Sequence, residues 1–271
     1  MAARALWSGS INFGMVNIPV KLFSATSNHN VSFHLLHAPC KSRVKYQVYC
    51  PVHETEVPRS DLVKGYEFAK NQYAVLTEED FEQLPVPSRQ SIELSAFVKL
   101  DEVDPLYFEQ SFYLAPDEIG KKAYALLVRS LQEKGLVGIA KVTLRNQERV
   151  CALRAKDGAV VLSTLHFADE IKAVPEGVPG DLEVSERELQ MANTLIDLLT
   201  AEKFEAGEFK DEYREALMKL IEAKIQGQEV AASPAPAPAQ VVDLMAALRA
   251  SVEAAEKARQ SRQSEPSVKA G

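Results

Sequence analysis

The chain has 271 residues, 46% of them apolar and 25% charged, and a formal net charge of −7. That is ordinary globular composition, enough for one good-sized core or two small ones, and its longest apolar runs are far too short to cross a bilayer. The opening MAARALWSGS lacks the apolar centre of a signal peptide, and Cys40, Cys50 and Cys151 are too few and too unevenly placed for a disulfide framework, so a cytoplasmic protein with no membrane partner is expected.

Taken in order, the elements begin with two short strands in the first 25 residues, around turns expected at Ser8-Gly9 and Asn17, with Pro19 suited to an edge or a strand start. Residues 26 to 58 are polar and punctuated by Pro39, Pro51 and Pro58, which reads as an extended arm. Thr77 is placed to cap a short helix stopped by Pro85, and SIELSAFVKL and SFYLAP supply two further strands. The run PDEIGKKAYALLVRSLQEKG predicts a helix with Asp117 at its start, Ile119, Ala123, Leu126, Leu127 and Leu131 on one face, and Gly135 at its end. A meander follows, with strands near 137–145, 149–154 and 159–167; the first turn is expected at Asn146-Gln147 and the second, around Asp157-Gly158, is a strong hairpin signal. Alternation puts Lys141, Thr143 and Arg145 on one face and Ala140, Val142 and Leu144 on the other, so a wet, cationic face is expected there. Cys151 falls mid-strand and reads as core.

From Ser185 the pattern turns helical: SERE is a capping box, and Leu189, Ala192, Leu195, Ile196 and Leu199 form a stripe. A second helix carries Phe209, Tyr213, Leu217, Leu220 and Ile221 and ends near Gly227. The Pro/Ala run ASPAPAPAQ is a semi-rigid linker. Beyond it, an amphipathic helix offers Val241, Leu244, Met245 and Leu248 on one face, the form of a docking peptide on a tether.

Charge is strongly segregated. Residues 1 to 53 hold five Lys or Arg and no Asp or Glu, whereas 54 to 118 hold five basic and fifteen acidic residues. From Lys121 to Lys156 there are nine Lys or Arg against two carboxylates, Glu133 and Glu148. Two positive segments separated by a negative one fit a common surface facing a polyanion; the competing reading is that acids and bases pair between neighbouring strands.

No phosphate loop, dinucleotide fingerprint, zinc-protease helix or nucleophile elbow is present, nor the carboxylate constellation of two-metal chemistry, so no enzyme is expected. One metal-like constellation stands out: His37 and Cys40, then Cys50 and His53, two pairs with two-residue gaps that together match the donors of one tetrahedral structural zinc. No other cofactor is called for.

WSGSINFGMVNIPVKLFSAT, VSFHLLH, RVKYQVYCPVHETEVPRSDLVKGYEF, YAVLTEEDFEQL, DPLYFEQSFYLAP, KAYALLVRSLQEKGLVGIAKVTLR and KDEYREALMKLIEAKIQG, in that order and spacing over residues 4 to 226, resemble the bacterial Ku proteins. VVDLMAALRAS resembles that family's C-terminal peptide. The resemblance implies an α+β, β-rich fold: a Ku-type β-barrel over 1–180 with 26–72 as an inserted arm or bridge, helices over 181–230, a linker over 231–240, and a C-terminal helix and tail over 241–271 for partner docking. It also implies a nucleoid-associated homodimer that closes a ring on double-stranded DNA ends in non-homologous end joining and recruits the multifunctional DNA ligase D. A ring that accepts any break must contact phosphates rather than bases. By position, Lys41, Arg43 and Lys45 in the arm and Lys141, Arg145, Arg149 and Arg154 in the meander are the expected contacts. Residues 241 to 271 carry five basic and four acidic residues, so the tail lacks the lysine-rich extension of some bacterial members. The alternative from another class is a β-barrel interaction module whose basic face binds an acidic protein partner.

Overall fold

The computed structural model describes residues 4–84, 90–144, 147–178, 182–227 and 244–264. The chain divides into two compact units, Met1–Ala173 and Val174–Gly271.

The first unit is built on a closed seven-stranded barrel. Strands β1 (Trp7–Phe13) and β2 (Val16–Ser24) form a hairpin, and after a long insertion come β7 (Ser91–Lys99), β8 (Phe108–Pro116), β9 (Leu136–Leu144), β10 (Gln147–Lys156) and β11 (Ala159–Leu165). Around the barrel the order is β1-β2-β8-β11-β10-β9-β7. Every pairing is antiparallel except the seam, where Ser10, Ile11 and Asn12 of β1 run parallel to Ser91, Ile92 and Glu93 of β7. Period-two alternation fills the interior: Ile11, Ile18, Val20, Leu22, Ile92, Leu114, Val142, Cys151, Leu153, Val160 and Leu162 are all essentially inaccessible. Burial pushes the Cys151 thiol up to about 12, so it packs as an inert apolar group, as its mid-strand position leads one to expect.

Two turn expectations are corrected. Ser8-Gly9 lies inside β1, and Asn17 pairs with Asn12 inside β2; the chain reverses at Gly14-Met15, where Gly14 takes φ +58°. Pro19 is tolerated mid-strand because β2 does not pair with β8 until Val20. The Asp157-Gly158 turn is as expected, both residues having positive φ as a tight hairpin demands.

Helix α2 (Lys121–Lys134) closes one end of the barrel and stops at Gly135 in the left-handed region. Its buried face is Tyr124, Leu127, Val128 and Leu131, packed into the strand core. The expected face was rotated: Ile119 and Leu126 are 93% and 67% exposed, and Tyr124 and Val128 go inside instead. The Tyr124 hydroxyl explains the rotation, since it donates to the Leu114 carbonyl and accepts from Val160 N–H at 2.7 Å, tying the helix to β8 and β11. Desolvation raises its pKa, so it stays a neutral donor.

The insertion between β2 and β7 spans residues 25–90, longer than the 26–72 expected. It holds the two-residue pair β3 (Tyr49–Cys50) and β4 (Thr55–Glu56), the hairpin β5 (Lys64–Ala69) and β6 (Gln72–Leu76), and α1 (Glu78–Glu82), none of them paired into the barrel. Thr77 caps α1 in a reciprocal capping box with Asp80; Pro85 lies outside the described residues.

In the second unit, α3 (Glu186–Leu199) starts at a Ser185–Glu188 capping box and α4 (Glu212–Ile225) at Asp211. The third helix, α5 (Leu244–Ser264), packs against α3. Neither α3 nor α4 buries a residue fully, and Leu189, Ile196, Leu199, Phe209, Tyr213 and Ile225 stay exposed. The linker 231–240 lies outside the described residues.

Replacing Tyr124 with Phe strands a buried carbonyl and a buried N–H, and should lower stability by about 2 kcal/mol. A urea titration should show a lower midpoint with unchanged slope, and Tyr113→Phe, at an exposed ring, should not.

Candidate nucleic-acid interface

The arm leaves the barrel at the end of β2 and returns at the start of β7. Register places the β9–β10 turn at that same end, since Ile92 sits opposite Val142 and Leu144 opposite Gln147. The arm and the Lys141 and Arg149 part of the meander therefore share one end of the barrel, whereas α2 closes the other, toward which Arg154 lies.

In the arm, Lys41, Arg43 and Lys45 are exposed, and among the described residues none has a carboxylate partner. A tight turn presents them: Lys41 N–H donates to the His37 carbonyl at 2.7 Å, Lys41 takes φ +57°, and Leu36 bridges to Arg43.

The meander differs from expectation. Lys141 is exposed but bonded to Glu148 at 3.1 Å, with Glu93 opposite it on β7. Arg149 shares the inward parity of Cys151 and Leu153, so it sits at the barrel mouth, where Glu109 holds it at 3.1 Å. Gln147 and Thr164 bond to the same pair. Thr143, expected beside Lys141 on a wet face, is 5% exposed. Ion pairs between strands have thus absorbed two of the expected cations: Glu148 lies diagonally across from Lys141 on the adjacent β10, and Glu109 of β8 reaches Arg149 across the intervening β11. Arg154 is half-buried on the outer face and has no ion pair among the described residues. Arg145 lies outside the described residues.

The zinc pairs are each formed locally. His37 Nδ1 is 3.1 Å from Cys40 Sγ, and His53 Nδ1 is 3.5 Å from Cys50 Sγ. Each pair ends in a left-handed residue, Lys41 after Cys40 and Glu54 after His53, so the two turns are built alike. The Ser42 hydroxyl and backbone N–H, with His37, lower the Cys40 thiol to about 7; the backbone N–H groups of His53 and Val52 lower Cys50. Yet among the described residues no three His, Cys, Asp or Glu side chains converge on one point. The chain offers two half-sites, not one assembled tetrahedron.

The apolar face read as a docking peptide is partly used within the chain: Met245 and Leu248 are half-buried in the helix that packs on α3, and Leu244 is 57% exposed. Val241 lies outside the described residues.

A closed seven-stranded barrel with a long arm inserted after its second strand defines the class of protein. Residues 12–191 match the family model "Ku70/Ku80 beta-barrel domain", and the chain belongs to the Ku family. It is 47% identical over 260 residues to the "Non-homologous end joining protein Ku" of Symbiobacterium thermophilum, covering 94% of this chain and 64% of that one. Proteins of the same name from Archaeoglobus fulgidus and Bacillus subtilis are 44% and 39% identical, the chain covering 99% and 82% of their lengths. Among solved structures, the SPOC domain of human PHD-finger protein 3 aligns with a TM-score of 0.30 at 12% identity over 60% of this chain and 95% of that one, too slight a likeness to bear on the fold. Among the described residues no helix is long and apolar enough to cross a membrane.

The two barrel ion pairs should differ in worth. Glu109→Gln leaves the half-buried Arg149 without its counter-charge and should cost about 1 kcal/mol by urea titration, whereas Glu148→Gln, at the more exposed pair, should cost less than about 0.5 kcal/mol.

Proposed function

We propose that this chain binds the ends of double-stranded DNA without reading sequence, in non-homologous end joining, as a homodimer whose two arms close a ring. The observation that carries the proposal is the set of unpaired, exposed cations Lys41, Arg43 and Lys45, borne on a long arm of a Ku-family barrel. Cations held away from carboxylates are free to replace counterions on a phosphate backbone, which is sequence-independent binding. Relatives named for non-homologous end joining support the same reading.

Dimerisation is supported by apolar surface that one chain leaves uncovered. Phe209, Tyr213 and Ile225 of the second unit are each more than 70% exposed, and every residue of the β5–β6 hairpin is exposed. A two-fold partner is the simplest cover for such surface. On this reading the protein performs no chemistry of its own; it works in the cytoplasm at the nucleoid, and passes the held end to a DNA ligase of the ligase D type. Part of the α5 face, Leu244 above all, remains open for that contact.

A structural zinc fits the arm's chemistry. It would draw the His37–Cys40 and Cys50–His53 turns together and stiffen the segment carrying the three cations. Purified protein, prepared without chelator, should hold about one zinc per chain, lost in Cys40→Ser and Cys50→Ser; a content well below one sets the zinc aside.

Binding should require a free end: a linear duplex should be shifted on a gel and a closed circle of equal length should not. Six arm contacts per dimer predict a slope of about −5 for log affinity against log salt, and Lys41→Gln/Arg43→Gln/Lys45→Gln should flatten it sharply. Light scattering at micromolar concentration should report a dimer. Equal binding to circle and line would remove the end requirement, and binding to neither would favour the protein-interaction reading.

A further inference from the structure

The end of the barrel away from the arm carries apolar surface that the core leaves uncovered. Helix α2 is apolar on two sides: Tyr124, Leu127, Val128 and Leu131 turn inward, while Ala123, Leu126 and Ser130 form an outer row at spacings of three and four, with Ile119 exposed just ahead of it. Beside the row, Phe13, Val16 and Phe97 complete the wall of a hollow of about 350 Å³, in which Lys134 is the one charged residue among those described. Phe13 and Phe97 meet edge to face at 5.5 Å, and Met15 at the tip of the β1–β2 hairpin is fully exposed. Lys134 also lines a second, mostly apolar hollow of about 820 Å³, formed by Leu100, Val103, Pro105 and Phe108.

Two features say what kind of partner covers this face. The first is shape. A row with helical spacing is matched by a second helix laid alongside, and the small Ala123 and Ser130 leave room for one of its large apolar side chains to enter the hollow. The second is charge. Lys99, Lys134 and Arg154 line the second hollow against one acid, Asp101, while Glu102 and Asp104 of the same crossover line neither. On α2, Lys122 and Arg129 stand four and three residues from Leu126 and flank the row, with Glu133 as the acid beyond. None of these five cations forms an ion pair among the described residues, whereas Lys121 is taken up by Glu118. An apolar strip edged by uncommitted cations selects a helix whose polar side is acidic. The arm leaves the barrel at the opposite end, so this face stays open whatever the arm holds.

We propose that the α2 end of the barrel docks an acidic amphipathic helix of another protein, with an apolar side chain seated between Leu126, Phe13 and Phe97. The proposal goes beyond end binding and does not require it.

The probe is a synthetic amphipathic peptide of about 18 residues, Leu on one face and Glu on the other, with a control in which each Glu is Lys; binding to the full chain is read by fluorescence anisotropy. The Glu peptide should bind about tenfold tighter than the Lys peptide, although the chain's net charge of −7 favours the reverse. Leu126→Asp should cost about tenfold, and Lys99→Glu/Lys134→Glu should reverse the preference. All three positions are exposed, and a urea midpoint unchanged from wild type shows that the fold is kept. Lys41→Gln/Arg43→Gln/Lys45→Gln should leave peptide affinity unchanged. Equal binding of both peptides, or an affinity that falls in the arm variant and holds in Leu126→Asp, overturns the assignment. So does a dimer that becomes a monomer by light scattering in Leu126→Asp, since a second copy of the chain is then the occupant. A gel shift with linear duplex is read beside it: a chain that takes the Glu peptide but no duplex sinks end binding and leaves this face standing.

Discussion

The structure depends on a three-residue seam. Ser10, Ile11 and Asn12 lie parallel to Ser91, Ile92 and Glu93, and this pairing turns an open sheet into a closed barrel. Closure removes the two edges that β1 and β7 would otherwise expose. It also dictates the arm, since the chain that leaves at Ser24 must come back to the seam at Ser91 whatever it does between. The arm is therefore a closed excursion whose root is fixed by barrel hydrogen bonding, and its small sheets and α1 need only hold shape locally. Ile11 and Ile92, both fully buried, add the apolar contact that so short a parallel pairing lacks in hydrogen bonds.

Electrostatics divides the basic residues into those the fold consumes and those it leaves. A strand cation within reach of an acid in the barrel wall becomes part of the sheet, as with Lys141 and Glu148 on adjacent strands and Arg149 and Glu109 across the intervening β11. The arm has no such ladder, and Lys41, Arg43 and Lys45 stay uncommitted. Net charge along the sequence cannot make this distinction, because it counts residues without knowing which strands are neighbours.

Much of the barrel was legible from period-two patterning: β7 to β11, the Asp157-Gly158 turn and the Cys151 core position all follow from it. The family resemblance supplied closure, which local pattern does not contain. Ser8-Gly9 resembled a turn because small polar residues usually mark one, whereas the true reversal at Gly14 was hidden between Phe13 and Met15. The face of α2 was misphased because the apolar stripe was drawn through Ile119 and Leu126 without Tyr124, whose hydroxyl serves two backbone groups. Arg149 could have been placed by parity alone, since it stands two and four residues before Cys151 and Leu153.

The orientation of the arm's root has a mechanical consequence. A pull on the arm toward its tip acts along the axes of β2 and β7, not across them. Strands loaded lengthwise share the force over all their cross-strand bonds at once, where strands peeled apart break them one by one. β7 is held from Ile92 to Lys99 against β9, and β2 is held along β1 and β8, so tension on the arm is taken up in shear by these ladders. The short seam between β1 and β7 takes the load first, since Ser91, Ile92 and Glu93 open β7, but the β7–β9 ladder continues to Lys99 behind it, so the barrel resists extraction of its arm better than its narrowest joint would imply.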